Sequence, residues 1–183
     1  MSKALITLAN GFEEIEAVSI IDVLRRGGVE VVAASIGEET GVRSAHGILM
    51  EADALFSDVM ENEYDAIILP GGGEGTENLM ACEPLHERLR KQKEGGGLVC
   101  AICAAPTVLD AAGVIEEEDV TCYPSCAPQM GHRVSPVPVV SDGQIVTGQG
   151  PGSATLFALV VLSMLEGERV SNGVANGMLV DFS

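Results

Sequence analysis

Cys103 stands where an apolar run, Gly97 to Ile102, gives way to Ala104-Ala105-Pro106. A nucleophile carried on a sharp strand-to-helix turn needs small neighbours, because the strained backbone leaves no room for branched side chains. N–H groups at the start of the following helix stabilise negative charge, so the arrangement predicts a thiol of lowered pKa. Pro106 suits the first helical turn, where no N–H is needed. A buried cysteine serving as a small hydrophobe would carry the same local sequence. Two other segments bear on the choice. Pro70-Gly71-Gly72-Gly73 closes a second apolar run. Glycines there let a backbone approach a ligand and offer N–H groups to an oxyanion, although a plain turn also uses them. Glu13, Glu14 and Glu16 open a helix. Acids at that end are ordinarily solvated, but one turned inward beside a thiol has a raised pKa and can shuttle protons.

The elements that must position these groups follow from hydrophobic runs and their punctuation. Ala4 to Ala9 reads as a buried strand closed by Asn10-Gly11. Glu13 to Arg26 reads as a helix, with acids first, Arg25 and Arg26 last, and Gly27-Gly28 ending it. Strands are expected at Val29–Ile36, Asp65–Leu69, Gly97–Ile102, Val120–Cys122, Val137–Ser141 and Gln144–Thr147. A hairpin is expected around Ser44-Ala45-His46-Gly47. Helices are expected over Thr76–Glu94, Ala104–Ala112 and Pro151–Glu166, with a short one from Arg169. Strands alternating with helices predict a parallel sheet with right-handed crossovers and helices on both faces. Ligands then bind beyond the carboxyl ends of the strands, where the Asn10, Gly72 and Cys103 segments should converge.

The 183 residues suit one domain, 1–183, without repeats or linkers. Aromatics are 3% and Trp is absent, so Val, Ile, Leu and Ala must fill the core, as in a sheet buried on both faces. A net charge of −17 argues against nucleic acid and anionic membrane surfaces as partners. No apolar stretch approaches a membrane span, and the segment after Met1 meets acids by Glu13, so a cytoplasmic location is expected. Five cysteines, an odd number, speak against a disulfide framework.

Glu13-Glu14-Ile15-Glu16-Ala17-Val18, Tyr64 to Gly72, Ala101-Ile102-Cys103-Ala104-Ala105-Pro106 and Gln149-Gly150-Pro151-Gly152-Ser153 occur in the order and spacing of the ThiJ/PfpI family. The chain resembles that family, in its DJ-one-like subgroup, along essentially its whole length. The resemblance implies a flavodoxin-like three-layer sandwich, mostly parallel sheet with helices on both faces, and a homodimer. It implies Cys103 as nucleophile, Glu16 as its protonated carboxyl partner, and the N–H groups of Gly72 and Ala104, with Gly71 beside them, as the oxyanion and substrate-binding groups. It also implies glyoxalase chemistry on small carbonyl substrates such as methylglyoxal and glyoxal, or repair of their early glycation adducts, without metal or cofactor. Oxidative-stress sensing through oxidation of Cys103, and a redox-regulated chaperone, are the alternatives.

The sequence departs from the subgroup at two places. Tyr123-Pro124 stands where a His-Pro pair is usual, and Tyr is a poor base near neutrality, which shifts the burden of activation to Glu16. His46 matches an Arg that reaches across the dimer in the subgroup; it either takes that part weakly or is an ordinary surface His. Arg26 keeps the family pattern. Tyr123, Arg26 and His46 are thus candidates for the surroundings of the site. A glutamine amidotransferase needs a C-terminal His, and none follows His132. Ala104 after the nucleophile argues against the protease branch. Cys100 and Cys103 have C-x-x-C spacing, but Cys100 inside a strand puts the Cα atoms roughly 9–10 Å apart, beyond the ~7 Å a disulfide tolerates. Cys122 and Cys126 are either resolving thiols for Cys103 or bystanders.

Overall fold

The computed structural model describes residues 1–181, so the last two of the single-domain span lie outside the described residues. A seven-stranded sheet has the order β5-β2-β1-β6-β7-β9-β8. Its strands are β1 (Lys3–Leu8), β2 (Glu30–Ser35), β5 (Ala54–Leu55), β6 (Ala66–Leu69), β7 (Leu98–Ile102), β8 (Val139–Asp142) and β9 (Ile145–Gly148). All pairings are parallel except β8 with β9, which are joined by a tight turn at Gly143. β3 (Gly41–Arg43) and β4 (Leu49–Glu51) form the expected separate hairpin.

Alternating side chains of the central strands feed two cores. Ala4, Ile6, Leu8, Ile68 and Ile102 pack with α1 (Glu14–Arg26), α6 (Ala154–Glu166) and α7 (Glu168–Gly177). Leu5, Ile67, Leu69 and Val99 pack with α2 (Phe56–Val59), α3 (Gly73–Met80), α4 (Glu83–Glu94) and α5 (Pro106–Ala111). The result is the expected three-layer α/β sandwich with a mostly parallel sheet. Among the described residues no helix is long and apolar enough to cross a membrane.

Four expectations for single elements are corrected. The helical stretch 76–94 is two helices, because Pro84 lies in the first turn of α4 and its ring would clash with the carbonyl of Met80 in a continuous helix. The helix after Cys103 starts only at Pro106, since three turn residues precede it. Val120–Cys122 makes one isolated bridge, Val120 with Val134, and no strand. Pro151–Ser153 forms a 3-10 turn ahead of α6. β5 and α2 had no clear sequence signal: they are two and four residues long.

Candidate active site

Cys103 directly follows β7 with φ of 65°, one of two described non-glycine residues in the left-handed region. That conformation costs a Cβ-bearing residue about 1–3 kcal/mol unless its surroundings hold it. Here they do. The Cys103 N–H donates to Gly148 O at 2.9 Å, and its carbonyl accepts from the Tyr123 N–H at 2.7 Å. The strained turn lifts the thiol off the sheet edge, yet Cys103 is only 9% exposed. The sequence had marked the neighbours of Gly148 without singling it out. A Cβ there would meet the Ile102 side chain at 2.7 Å, so glycine lets β7 and β9 converge beneath the elbow.

Gly72 follows β6 with φ of 95°, and a Cβ on it would run into Gly11 O and lie 2.8 Å from the Glu13 N. This glycine is thus required for the β6 loop to meet the β1–α1 loop. The Glu13 N–H completes the junction by donating to Gly71 O at 2.9 Å. Glu13 caps α1 and accepts from the Ile15 N–H at 3.4 Å. Three residues later, Glu16 turns inward and is fully buried. Its Oε2 accepts from the Gly71 N–H at 2.7 Å. Its Oε1 is buried with no partner of regular hydrogen-bond geometry among the described residues, while the carboxyl interacts with the Cys103 thiol. The unpartnered oxygen leaves a place for a carboxyl proton.

The electrostatics correct one expectation. The N–H groups of Gly72 and Ala104 do point at the Cys103 sulfur and stabilise its anion. Burial and the negative charge of an ionised Glu16 outweigh them and push the thiol up to about 12, not down. Glu16 itself is raised from 4.5 to about 7, chiefly by desolvation, against the Gly71 N–H bond that favours its anion. The two groups share one proton over a wide range: moving it from sulfur to Glu16 removes the repulsive charge and turns the carboxyl into a donor to the thiolate.

Gly71 sits between the pair. A Cβ there would lie 2.6 Å from the Cys103 Cβ and 3.0 Å from Glu16 Oε2. Gly71→Ala is therefore expected to force thiol and carboxyl apart. It should cost about 1–3 kcal/mol of stability by overpacking, read by denaturant unfolding, and slow alkylation of Cys103 severalfold. Unchanged values of both would mean that the pair is not held as described.

The remaining candidates are placed differently. Tyr123 adjoins the elbow through the backbone bond already described, and its half-exposed ring lies over Gly150. His46 is exposed and pairs with Glu14 at 3.0 Å, with Glu13 3.9 Å away, beside the helix start that carries Glu16. Arg26 is bound to Asp22 at 2.7 Å in the last turn of α1. Ten residues separate it from Glu16, roughly 15 Å along the helix, so within this protomer it is outside the site. All five cysteines are free. Cys100 is fully buried in β7, with its thiol pKa raised far above the ordinary range by desolvation, which agrees with the rejection of a dithiol. Gly75 was missed, and Gly11 was read only as the close of the first strand: a Cβ on Gly75 would meet the Phe12 N at 2.8 Å and one on Gly11 the Gly75 N at 2.8 Å, so the two set the loop contact that delivers Glu16.

Known proteins share this arrangement of elements. The profile of the DJ-1/PfpI family matches residues 2–164. Protein dj-1beta of Drosophila melanogaster is 39% identical over 187 residues, covering all of both chains. Protein DJ-1 homolog B of Arabidopsis thaliana is 40% identical over 97% of this chain, which spans only 41% of the plant protein. A Caenorhabditis elegans protein named glutathione-independent glyoxalase DJR-1.2 is 39% identical over 88% of this chain and 87% of its own. Among solved structures, oxidized DJ-1 of Toxoplasma gondii superposes with a TM-score of 0.95 at 38% identity, over 98% of this chain and 99% of that one.

Proposed function

The chain belongs to the DJ-1/PfpI family, and from its site we propose that it is a cofactor-independent glyoxalase that turns small 2-oxoaldehydes into 2-hydroxy acids. The observation that carries this reading is the buried pair: a carboxyl with a pKa of about 7 against a thiol that also receives two backbone N–H groups. A thiol adds reversibly to an aldehyde, and a carboxyl titrating near neutrality can both give and take a proton.

With the shared proton on Glu16, the Cys103 thiolate attacks the aldehyde carbon of methylglyoxal and a C–S bond forms. The carbonyl oxygen becomes an oxyanion between the Gly72 and Ala104 N–H groups, then takes the proton of Glu16 to give the hemithioacetal. The Glu16 carboxylate next removes the hydrogen from that same carbon, and the electron pair passes into an enediolate. A hydroxyl proton moves between the two substrate oxygens, and Glu16 returns its proton to the neighbouring carbon, leaving a 2-hydroxy thioester. Water displaces the sulfur and lactic acid leaves. One carbon is oxidised and its neighbour reduced, so no external oxidant or reductant enters. A hemithioacetal or aminocarbinol of early glycation would first release its thiol or amine, the hydroxyl proton passing to the leaving group, and the regenerated 2-oxoaldehyde would then enter the same route.

The test is direct. Purified protein incubated with methylglyoxal and no thiol or cofactor is expected to form lactate in step with aldehyde loss, and aldehyde loss without lactate would overturn the reading. A second reading rests on the same N–H groups, which could hold the oxygens of a Cys103 sulfinate formed with two equivalents of peroxide. It would be favoured by a selective gain of two oxygens at Cys103 together with negligible aldehyde turnover. The expected homodimer is supported by Ile15 and Val18 of α1 and Ile48 and Leu49 of the hairpin, all more than half exposed. A cytoplasmic location remains part of this proposal.

A further inference from the structure

We infer that a cleft beside Cys103 is a subsite for the side chain of the 2-oxoaldehyde, and that it selects apolar, aryl-sized substituents. The inference rests on the glyoxalase reading for the identity of the substrate. The cleft has a volume of about 610 Å³ and is lined by Tyr123, Pro124, Pro138, Gln149, Gly150 and Pro151, among others. Two of its walls are the segments that hold the nucleophile. Tyr123 donates its N–H to the Cys103 carbonyl, and Gly148, directly before Gln149, accepts the Cys103 N–H. These two backbone bonds place the cleft next to the elbow that carries the sulfur.

Its chemistry is selective. No charged side chain lines it, although the chain carries 37 charged Lys, Arg, Asp and Glu residues, 10 basic plus 27 acidic. Three prolines contribute no N–H donors, and the tyrosine ring is 45% exposed, free on one side for stacking. Within one protomer, a carboxylate or phosphate on the substrate would find no cation in this lining, in a protein with net charge −17. A methyl group would leave most of the volume to water, whereas an aryl ring would displace it and cover the Tyr123 face.

The walls are also fixed in advance. The Tyr123 ring lies so close over Gly150 that a Cβ there would be 3.3 Å from its Cδ2. The Thr121 N–H donates to Thr147 Oγ1 at 2.8 Å and the Thr121 hydroxyl to Val137 O at 2.8 Å, which tie the approach to Tyr123 onto β9 and the segment before β8. A preformed apolar wall loses little freedom when a ring docks on it.

The experiment compares kcat/KM for phenylglyoxal, forming mandelate, with that for methylglyoxal, forming lactate. The ratio within each variant cancels differences in folded fraction. Relative to the unmodified protein, Tyr123→Ala is expected to lower the ratio about fivefold to tenfold, and Tyr123→Phe to keep it. Gly152→Leu, whose Cβ would enter space with no atom within 4 Å, is expected to fill the cleft and lower the ratio as well. A second readout does not need turnover: alkylation of Cys103 by N-benzyl iodoacetamide relative to iodoacetamide, followed by intact mass. That ratio should fall in Tyr123→Ala and Gly152→Leu. If neither aldehyde yields a hydroxy acid but the alkylation ratio still falls, the glyoxalase reading fails and the apolar subsite stands. Ratios that stay constant across all variants in both assays would overturn the subsite.

Discussion

Cys103→Ala is expected to lower lactate formation from methylglyoxal by about a thousandfold or more, to the level of the uncatalysed reaction. The size of the effect follows from what sulfur does. In the proposed reaction it forms the covalent bond that fixes the aldehyde carbon between the Gly72 and Ala104 N–H groups and Glu16, and without that bond the substrate would be only loosely held. Neither Cys100 nor Cys122 can replace it. Cys100 is fully buried, and Cys122 is pushed up to about 11 by desolvation with 1% of its surface exposed. Loss of fold is not the explanation to expect, because alanine meets the same left-handed φ of 65° that cysteine already tolerates. An unchanged melting temperature with abolished turnover is therefore the expected pair of results. Cys103→Ser should be nearly as inactive, since a serine hydroxyl is far less acidic than a thiol. A Cys103→Ala protein that kept more than about a tenth of the rate would place the nucleophile elsewhere.

What the sequence disclosed depended on how local each signal was. The strands of the parallel core are runs of buried Val, Ile, Leu and Ala, legible because both faces are apolar. The hairpin around His46 was legible from its turn residues, and the end of α1 from Gly27-Gly28. Pro84 should have divided the 76–94 stretch, but it lies inside an otherwise helical pattern, where the clash with Met80 competes with good helix formers. The site divides in the same way. Small residues around Cys103 announced the elbow, and glycines announced the β6 loop. Which of three acids turns inward was not local at all. It is decided by α1's entry angle, set by contacts of Gly11 with the Gly72–Gly75 segment some sixty residues later. The direction of the thiol shift was hidden for a related reason. The helix-start effect is visible in sequence, whereas the burial and the buried carboxylate that outweigh it exist only after folding. Arg26 shows the converse, since a pattern match did not bring its side chain to the site within one protomer.

Glu16→Gln carries the second large effect, on rate and on pH dependence together. Glutamine keeps an oxygen for the Gly71 N–H and fits the same volume, so the loop should stay in place. It cannot carry a proton from one substrate carbon to the next, and loss of a positioned acid–base group costs about 10²–10⁴-fold in kcat. The pH profile separates this role from a structural one. Below pH 7 the wild-type pair holds two protons, one on sulfur and one on Glu16, and no thiolate can form. As pH rises through about 7 Glu16 loses its proton, and the single proton left can move from sulfur to carboxyl. Wild-type kcat/KM should therefore climb through pH 7 to a plateau, and the step should vanish in Glu16→Gln. Stability should move the opposite way. The folded Glu16 pKa, about 7, lies above its unfolded value of 4.5, so the folded state holds the extra proton between them. The stabilisation is complete below pH 4.5 and is lost as pH rises through 7. The shift corresponds to about 3 kcal/mol at 1.36 kcal/mol per unit. Urea unfolding at pH 5 and pH 8 should thus show wild type losing stability relative to Glu16→Gln across that interval. Parallel curves for the two proteins would mean that Glu16 is ionised throughout and cannot be the proton carrier.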